Sequence, residues 1–141
     1  MPDEESANGI LSVQHLQQLI NDGIISADQP IERGQLQPAS LDLRLGNEAW
    51  RVQASFLPGA NISVDGKLAT FGMHKVDLSN GAVLERGCVY IVKLQERLNL
   101  PDGMSALANP KSSTGRLDVF TRLITDGARE FEAVADGYRG P

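Results

Sequence analysis

Turn signals at Pro58-Gly59, Asp65-Gly66, Asn80-Gly81, Arg86-Gly87 and Asp102-Gly103 cut this chain into short apolar pieces. Short strands separated by turns this frequent point to a mainly antiparallel β domain and away from a βαβ fold. Strands are predicted over residues 49–53, 82–84, 88–94, 105–108, 117–123 and 132–135, and strands this short with turns this frequent pair mainly antiparallel. The 14 glycines match that turn density. Outside 49–53, the stretch 47–77 leaves its pairing open.

Two segments have clearer periods. Ser12 suits a helix N-cap, Val13, Leu16, Leu19 and Ile20 follow at helical spacing, Leu11 and Leu16 can form a hydrophobic staple, and Gly23 is placed to stop the helix. One short amphipathic helix over 13–22 follows, its apolar stripe serving packing. In Ala39-Ser40-Leu41-Asp42-Leu43-Arg44-Leu45 the period changes to two, which predicts a half-buried strand ended by Gly46. Ser40, Asp42 and Arg44 then share its other face.

The chain has 141 residues, enough for one domain with a hydrophobic core of its own. Residues 1–9, opening Pro2-Asp3-Glu4-Glu5, read as a disordered acidic tail ahead of a domain over 10–141. The net charge of −5 argues against a nucleic-acid polymer or an anionic membrane as partner. A compact polyphosphate can still be held by a few local cations. Cys88 is the single cysteine, so neither an intrachain disulfide nor a Cys-rich zinc site is available, and His15 and His74 sit in no ligand-spaced motif. No apolar run reaches membrane-spanning length and no basic-then-apolar leader opens the chain, so the cytoplasm is the expected location. The glycosylation-type triplet Asn61-Ile62-Ser63 then has no export route to act on.

Pro110-Lys111-Ser112-Ser113-Thr114-Gly115-Arg116 gathers hydroxyls, a glycine and two cations. Such a loop suits phosphate oxygens: backbone N–H groups and hydroxyls donate hydrogen bonds while Lys and Arg supply charge. It lacks the residue order of a P-loop. Taken alone, it reads equally as a polar turn between strands.

The order of motifs around it resembles the deoxyuridine triphosphatase and dCTP deaminase superfamily, most closely an extended bacterial form of dCTP deaminase. The resemblance rests on Ser40-Leu41-Asp42-Leu43-Arg44-Leu45-Gly46, on Leu100-Pro101-Asp102-Gly103 leading to Lys111-Ser112-Ser113, and on Asp136-Gly137-Tyr138-Arg139-Gly140, with the opening helix in support. It implies a mainly β, dUTPase-like (β-clip) distorted antiparallel barrel with a short N-terminal helix. The activity implied is that of a hydrolase deaminating dCTP to dUTP and ammonia. The alternatives are hydrolysis of dUTP to dUMP and pyrophosphate, or a non-catalytic nucleotide-binding or assembly domain.

Carried over by residue, the resemblance implies that Lys111, Ser112, Ser113 and Arg116 hold the triphosphate. Lys111 replaces a family arginine, keeping the charge and losing the bidentate fork. Asp136 would position water or sugar, and it lies one residue closer to the aromatic than the family aspartate does. Tyr138 would stack near the deoxyribose or else serve as a core aromatic. Asp42 and Arg44 would order the loop through ion pairs. The family's catalytic glutamate follows the last motif by a few residues, which places it beyond Pro141 and implies a domain truncated at its C-terminus and inactive alone. Glu130 and Glu132 precede that motif and read as solvated positions. Mg²⁺ would ride on the nucleotide's phosphates, with no zinc; the partners implied are dCTP, with dUTP or dTTP as further ligands, and other copies of the chain in a trimer.

Overall fold

Ser12 begins the first helix, α1 (Val13–Asn21), in the computed structural model, which describes residues 8–141. The expected acidic tail therefore lies outside the described residues through residue 7. Asp22 is the C-cap and Gly23 takes φ +73°, the left-handed turn that stops the helix. The Ser12 hydroxyl meets His15 Nδ1 at 2.9 Å instead of capping a backbone N–H. Val13 N donates to Pro38 O at 2.8 Å, which ties the first turn to the segment that follows.

After α1 come β1 (Ile25–Ala27), a 3₁₀ turn (Arg33–Gln35), β2 (Leu36–Gln37), β3 (Ser40–Leu41) and β4 (Leu45–Val52). Next are α2 (Val64–Phe71), β5 (Gly72–Asp77), β6 (Val89–Leu94), β7 (Glu96–Asn99) and β8 (Ala106–Leu107). The short α3 (Ser112–Gly115), β9 (Ala133–Val134) and β10 (Arg139–Gly140) complete the order. Each of these strand pairings is antiparallel, as predicted. The sheets run β1-β7-β10, β2-β3, β5-β4-β6 and β8-β9. Buried Leu100, Val134 and Tyr138 form a core into which Ile24, Leu98, Met104, Ala106 and Leu123 pack.

Three predicted strands are corrected. The single strand expected over 39–45 is broken: β3 ends at Leu41, residues 42–44 form no strand, and the Arg44 N–H is taken by a distant side chain. Asp42 N donates to Gln35 O, and Arg44 N donates to the Glu96 carboxylate, both at 2.9 Å. Leu43 and Leu45 are consequently exposed, at 45% and 58%, so the alternation does not mark a buried face. Nor does Gly46 end a strand. It lies inside β4 at a register irregularity, where an added Cβ would come within 2.8 Å of Lys93 O. No strand forms over 82–84, where Val83 is 89% exposed. Residues 117–123 likewise form none; they follow a helical turn, and Leu117, Val119 and Phe120 are exposed.

The open stretch 47–77 contains α2 and β5, so Asp65-Gly66, expected as a turn between strands, instead lies in the first turn of a helix. Ser63, noted above only as part of a glycosylation-type triplet, is the N-cap of α2: its hydroxyl accepts from Gly66 N at 3.0 Å. The Asp126 carboxylate accepts from Val64 N at 2.7 Å, so a loop from the far end of the chain covers the same helix end.

Candidate functional site

Residues 108–118 leave β8 as a helical turn. Ala108 N donates to Glu132 O as the β8-β9 ladder ends, and Pro110 then precludes continued strand pairing through its own nitrogen. Lys111 O accepts from Thr114 N and Gly115 N at 3.1 and 3.2 Å, Ser112 O accepts from Arg116 N at 3.0 Å, and Asp118 ends the turn at φ +57°. Ser112, Ser113 and Arg116 are exposed on it. Among the described residues Arg116 belongs to none of the ion pairs.

Lys111 has a partner. Its Nζ lies 2.5 Å from Asp42 Oδ2, which brings the charged row of the 40–44 segment to the cationic loop. The expected ion pair beside the loop is thus present for Asp42. Arg44 turns away from the loop toward Glu96, with Nε 2.9 Å from Oε1, and also donates to the carbonyls of Gln29 and Pro30.

Asp136 and Tyr138 occupy a different place. Asp136 Oδ1 accepts from Gly103 N at 2.8 Å, and Gly137 N donates to Met104 O, so this turn is fastened to the 101–104 turn. Gly137 is required there: it has φ +66°, and a Cβ would meet Asp102 Oδ1 at 2.9 Å. The Tyr138 ring is 9% exposed and lies in the core, while its hydroxyl accepts from Asp126 N at 3.1 Å and donates to Pro141 O at 2.8 Å. The 111–116 loop starts where β8 ends, and the 136–140 turn starts where β9 ends. Because Ala106 pairs with Val134 and Leu107 with Ala133, antiparallel, those two exits lie at opposite ends of the ladder.

Burial raises the Tyr138 phenol above its ordinary value near 10, the nearby Asp126 carboxylate adds to the shift, and the Asp126 N–H partly opposes it. An unfolded chain then releases this proton at lower pH than the folded one, so stability present below about pH 10 falls as pH rises further. Tyr138→Phe is expected to lose about 1–2 kcal/mol at neutral pH, from the orphaned Asp126 N–H, and to flatten that alkaline decline. Urea midpoints between pH 7 and 11 read both effects; an unchanged slope above pH 10 would remove Tyr138 as its source.

Sequence reasoning missed Glu96 and Gln35. Glu96 is 4% exposed, and its carboxylate receives Gln35 Nε2, Arg44 Nε and Arg44 N. The parity of Leu98 and Leu100, which share its face of β7 and the residues after it, was the available signal. Glu132, expected as a solvated position, is half-buried: it pairs with Arg122 at 3.0 Å and accepts from Leu123 N. It borders a groove of about 400 Å³ beside the loop, with Pro110, Gly115, Val119, Phe120 and Arg122 on its walls. Among the described residues no three His, Cys, Asp or Glu side chains are grouped to hold a metal, and no helix is long and apolar enough to cross a membrane.

The family model for the 2'-deoxycytidine 5'-triphosphate deaminase (DCD) N-terminal domain matches residues 7–141. Among individual proteins, the chain is 32% identical over 94 residues to a "dCTP deaminase, dUMP-forming" of Methanosphaerula palustris, covering 64% of this chain and 47% of that one. It is 31% identical over 86 residues to a "dCTP deaminase" of Haloarcula marismortui, covering 60% and 44%. The crystal structure of 2'-deoxycytidine 5'-triphosphate deaminase from Agrobacterium tumefaciens superposes with a TM-score of 0.90 at 55% identity, over 94% of this chain and 40% of that one. That likeness bears out the expected dUTPase-like β fold. The chain spans less than half the length of each of these proteins.

Proposed function

The chain belongs to the dCTP deaminase N-terminal-domain family, and from that membership we propose that it supplies the triphosphate-holding part of an enzyme converting dCTP and water to dUTP and ammonia. The observation that carries this reading is the exposed turn on which Lys111, Ser112, Ser113 and Arg116 project beside an open groove. Two cations, two hydroxyls and free backbone N–H groups match the charge and acceptor oxygens of a triphosphate. Mg²⁺ in this reading arrives on the phosphate oxygens, where it neutralises charge, and the residues of this chain bind the remaining oxygens.

Deamination needs a carboxylate that takes a proton from water as the oxygen adds to C4 and returns it to the leaving amine. Beside the loop, Asp42 is paired with Lys111 and Glu132 with Arg122. We place the base outside this chain's residues, a few positions past the 136–140 turn, as the resemblance implies; the 141-residue chain alone is then inactive. As the resemblance implies, the site is completed by other copies of the chain, in a trimer. Asp136 and Tyr138 would serve such a site by fixing the turn, with Tyr138 acting from the core. The net charge of −5 supports a small-nucleotide partner over a nucleic-acid polymer, and a cytoplasmic location fits that substrate.

The relatives described as dUMP-forming support a second reading in which pyrophosphate is also released. Product analysis of the complete protein with dCTP and Mg²⁺ tests both, with the 141-residue chain as control. Ammonia with dUTP is expected from the complete protein; dUMP and pyrophosphate in equal amounts would establish the combined reaction. Absence of ammonia would overturn the deaminase assignment.

A further inference from the structure

The Asp42 backbone is held twice by Gln35 before its carboxylate reaches the loop. Its N–H donates to Gln35 O, its carbonyl accepts from Gln35 Nε2, and each contact is 2.9 Å. Gln35 is itself buried, and the same amide nitrogen donates to Glu96 Oε1 at 2.9 Å. Two residues on, Arg44 is clamped to the other carboxylate oxygen of Glu96 through its backbone N–H. The Asp42 backbone is thus fixed by a buried network, and its carboxylate meets Lys111 Nζ at 2.5 Å.

Lysine is a flexible four-carbon stem ending in a compact charge with three donors. The pair is open to solvent, with side-chain exposures of 62% for Lys111 and 32% for Asp42. An exposed pair of this kind contributes little to folding. Its effect is on where the ammonium sits: one donor is taken by Asp42, two remain, and the lysine rotamers that keep this contact are favoured. Where the family pattern has the planar arginine fork, a carboxylate anchored 69 residues away holds the lysine in one place.

We propose that Asp42 is a positioning residue for triphosphate recognition, acting only through Lys111, which it presents to the phosphates in a preorganised orientation. The proposal rests on the reading of the 111–116 turn as the triphosphate site. Preorganisation saves the entropy of immobilising the side chain when the ligand arrives. It outweighs the repulsion between the Asp42 carboxylate and phosphate, which water and salt screen at this exposed position.

The test is a double-mutant cycle in the complete protein, with steady-state dCTP kinetics and calorimetric titration of inorganic tripolyphosphate. Asp42→Asn is expected to raise KM and the tripolyphosphate Kd by roughly threefold to tenfold, with kcat and the thermal midpoint unchanged. In a Lys111→Met background the same substitution should change neither constant. A persistent defect in that background would show that Asp42 acts on the fold or on the ligand directly, and tighter binding by Asp42→Asn would show that it competes with phosphate. Either result overturns the proposal. If Lys111→Met alone binds tripolyphosphate and dCTP like the unmodified protein, the triphosphate reading of the turn fails, an outcome read from that single variant and separate from the Asp42 arm.

Discussion

Glu96→Ala is expected to cost about 3–5 kcal/mol of folding stability, the penalty typical of removing one partner from a buried ion pair. The Glu96 side chain is 2% exposed and accepts three hydrogen bonds, two of them from Arg44. Its removal leaves one Gln35 amide hydrogen and the Arg44 N–H without an acceptor, the Gln35 nitrogen keeping Asp42 O and the guanidinium only the carbonyls of Gln29 and Pro30. Each orphaned buried donor costs its own desolvation. The adjacent Arg97 provides the contrast: it pairs with Asp28 at 3.0 Å with both side chains more than half exposed, so Arg97→Ala should stay within about 1 kcal/mol. Urea midpoints of the two variants test the difference. Equal small shifts would mean that the Glu96 network does not hold residues 42–44 in place, and the break between β3 and β4 would need another cause.

That break shows what local sequence carries and what it does not. α1 was legible because its cap, its apolar spacing and its stop glycine all lie within a dozen residues, and the structure ends it one residue short of the expected bound. The antiparallel β class was legible for the same reason, since glycine-containing turns are local signals. The course of residues 39–45 was not, although their alternation was real. Which groups leave the ladder depends on Glu96, 52 residues from Arg44, and no local period encodes that partner. The polar look of Gln95-Glu96-Arg97 hid a parity clue, because Glu96, Leu98 and Leu100 alternate with exposed Arg97 and Asn99. A carboxylate on the buried face of a strand demands a partner, and Arg44 was the candidate in reach of that inference.

The shape of the loop was not legible. Its hydroxyls, glycine and cations suggested a loop between strands, but the backbone is a helical turn, and Leu117, Val119 and Phe120 after it are 76%, 49% and 91% exposed. β propensity alone had predicted a strand there. Propensity measures how well a side chain fits a half-buried pleat, and these residues have no pleat to join within the described chain.

The two cations of that turn should therefore differ in effect. Arg116 is exposed and, among the described residues, spends no charge on an internal ion pair, whereas Lys111 already shares its ammonium with Asp42. Arg116→Ala should leave folding within about 0.5 kcal/mol, as expected for a surface position away from caps and core. Charge-assisted hydrogen bonds to phosphate are worth about 1.5–3 kcal/mol, so the same change should raise KM for dCTP by roughly 10- to 100-fold. Lys111→Ala should cost less, because removing the lysine also releases Asp42 to water and the fork geometry was never available. Measured KM values for the two variants, with thermal midpoints as the folding control, decide the matter. A larger defect for Lys111→Ala would make Asp42-Lys111 the principal phosphate contact, and an unchanged KM for Arg116→Ala would take the guanidinium out of the site. The expected order follows from one physical distinction: a cation free of internal partners has its whole hydrogen-bonding capacity to give to the ligand.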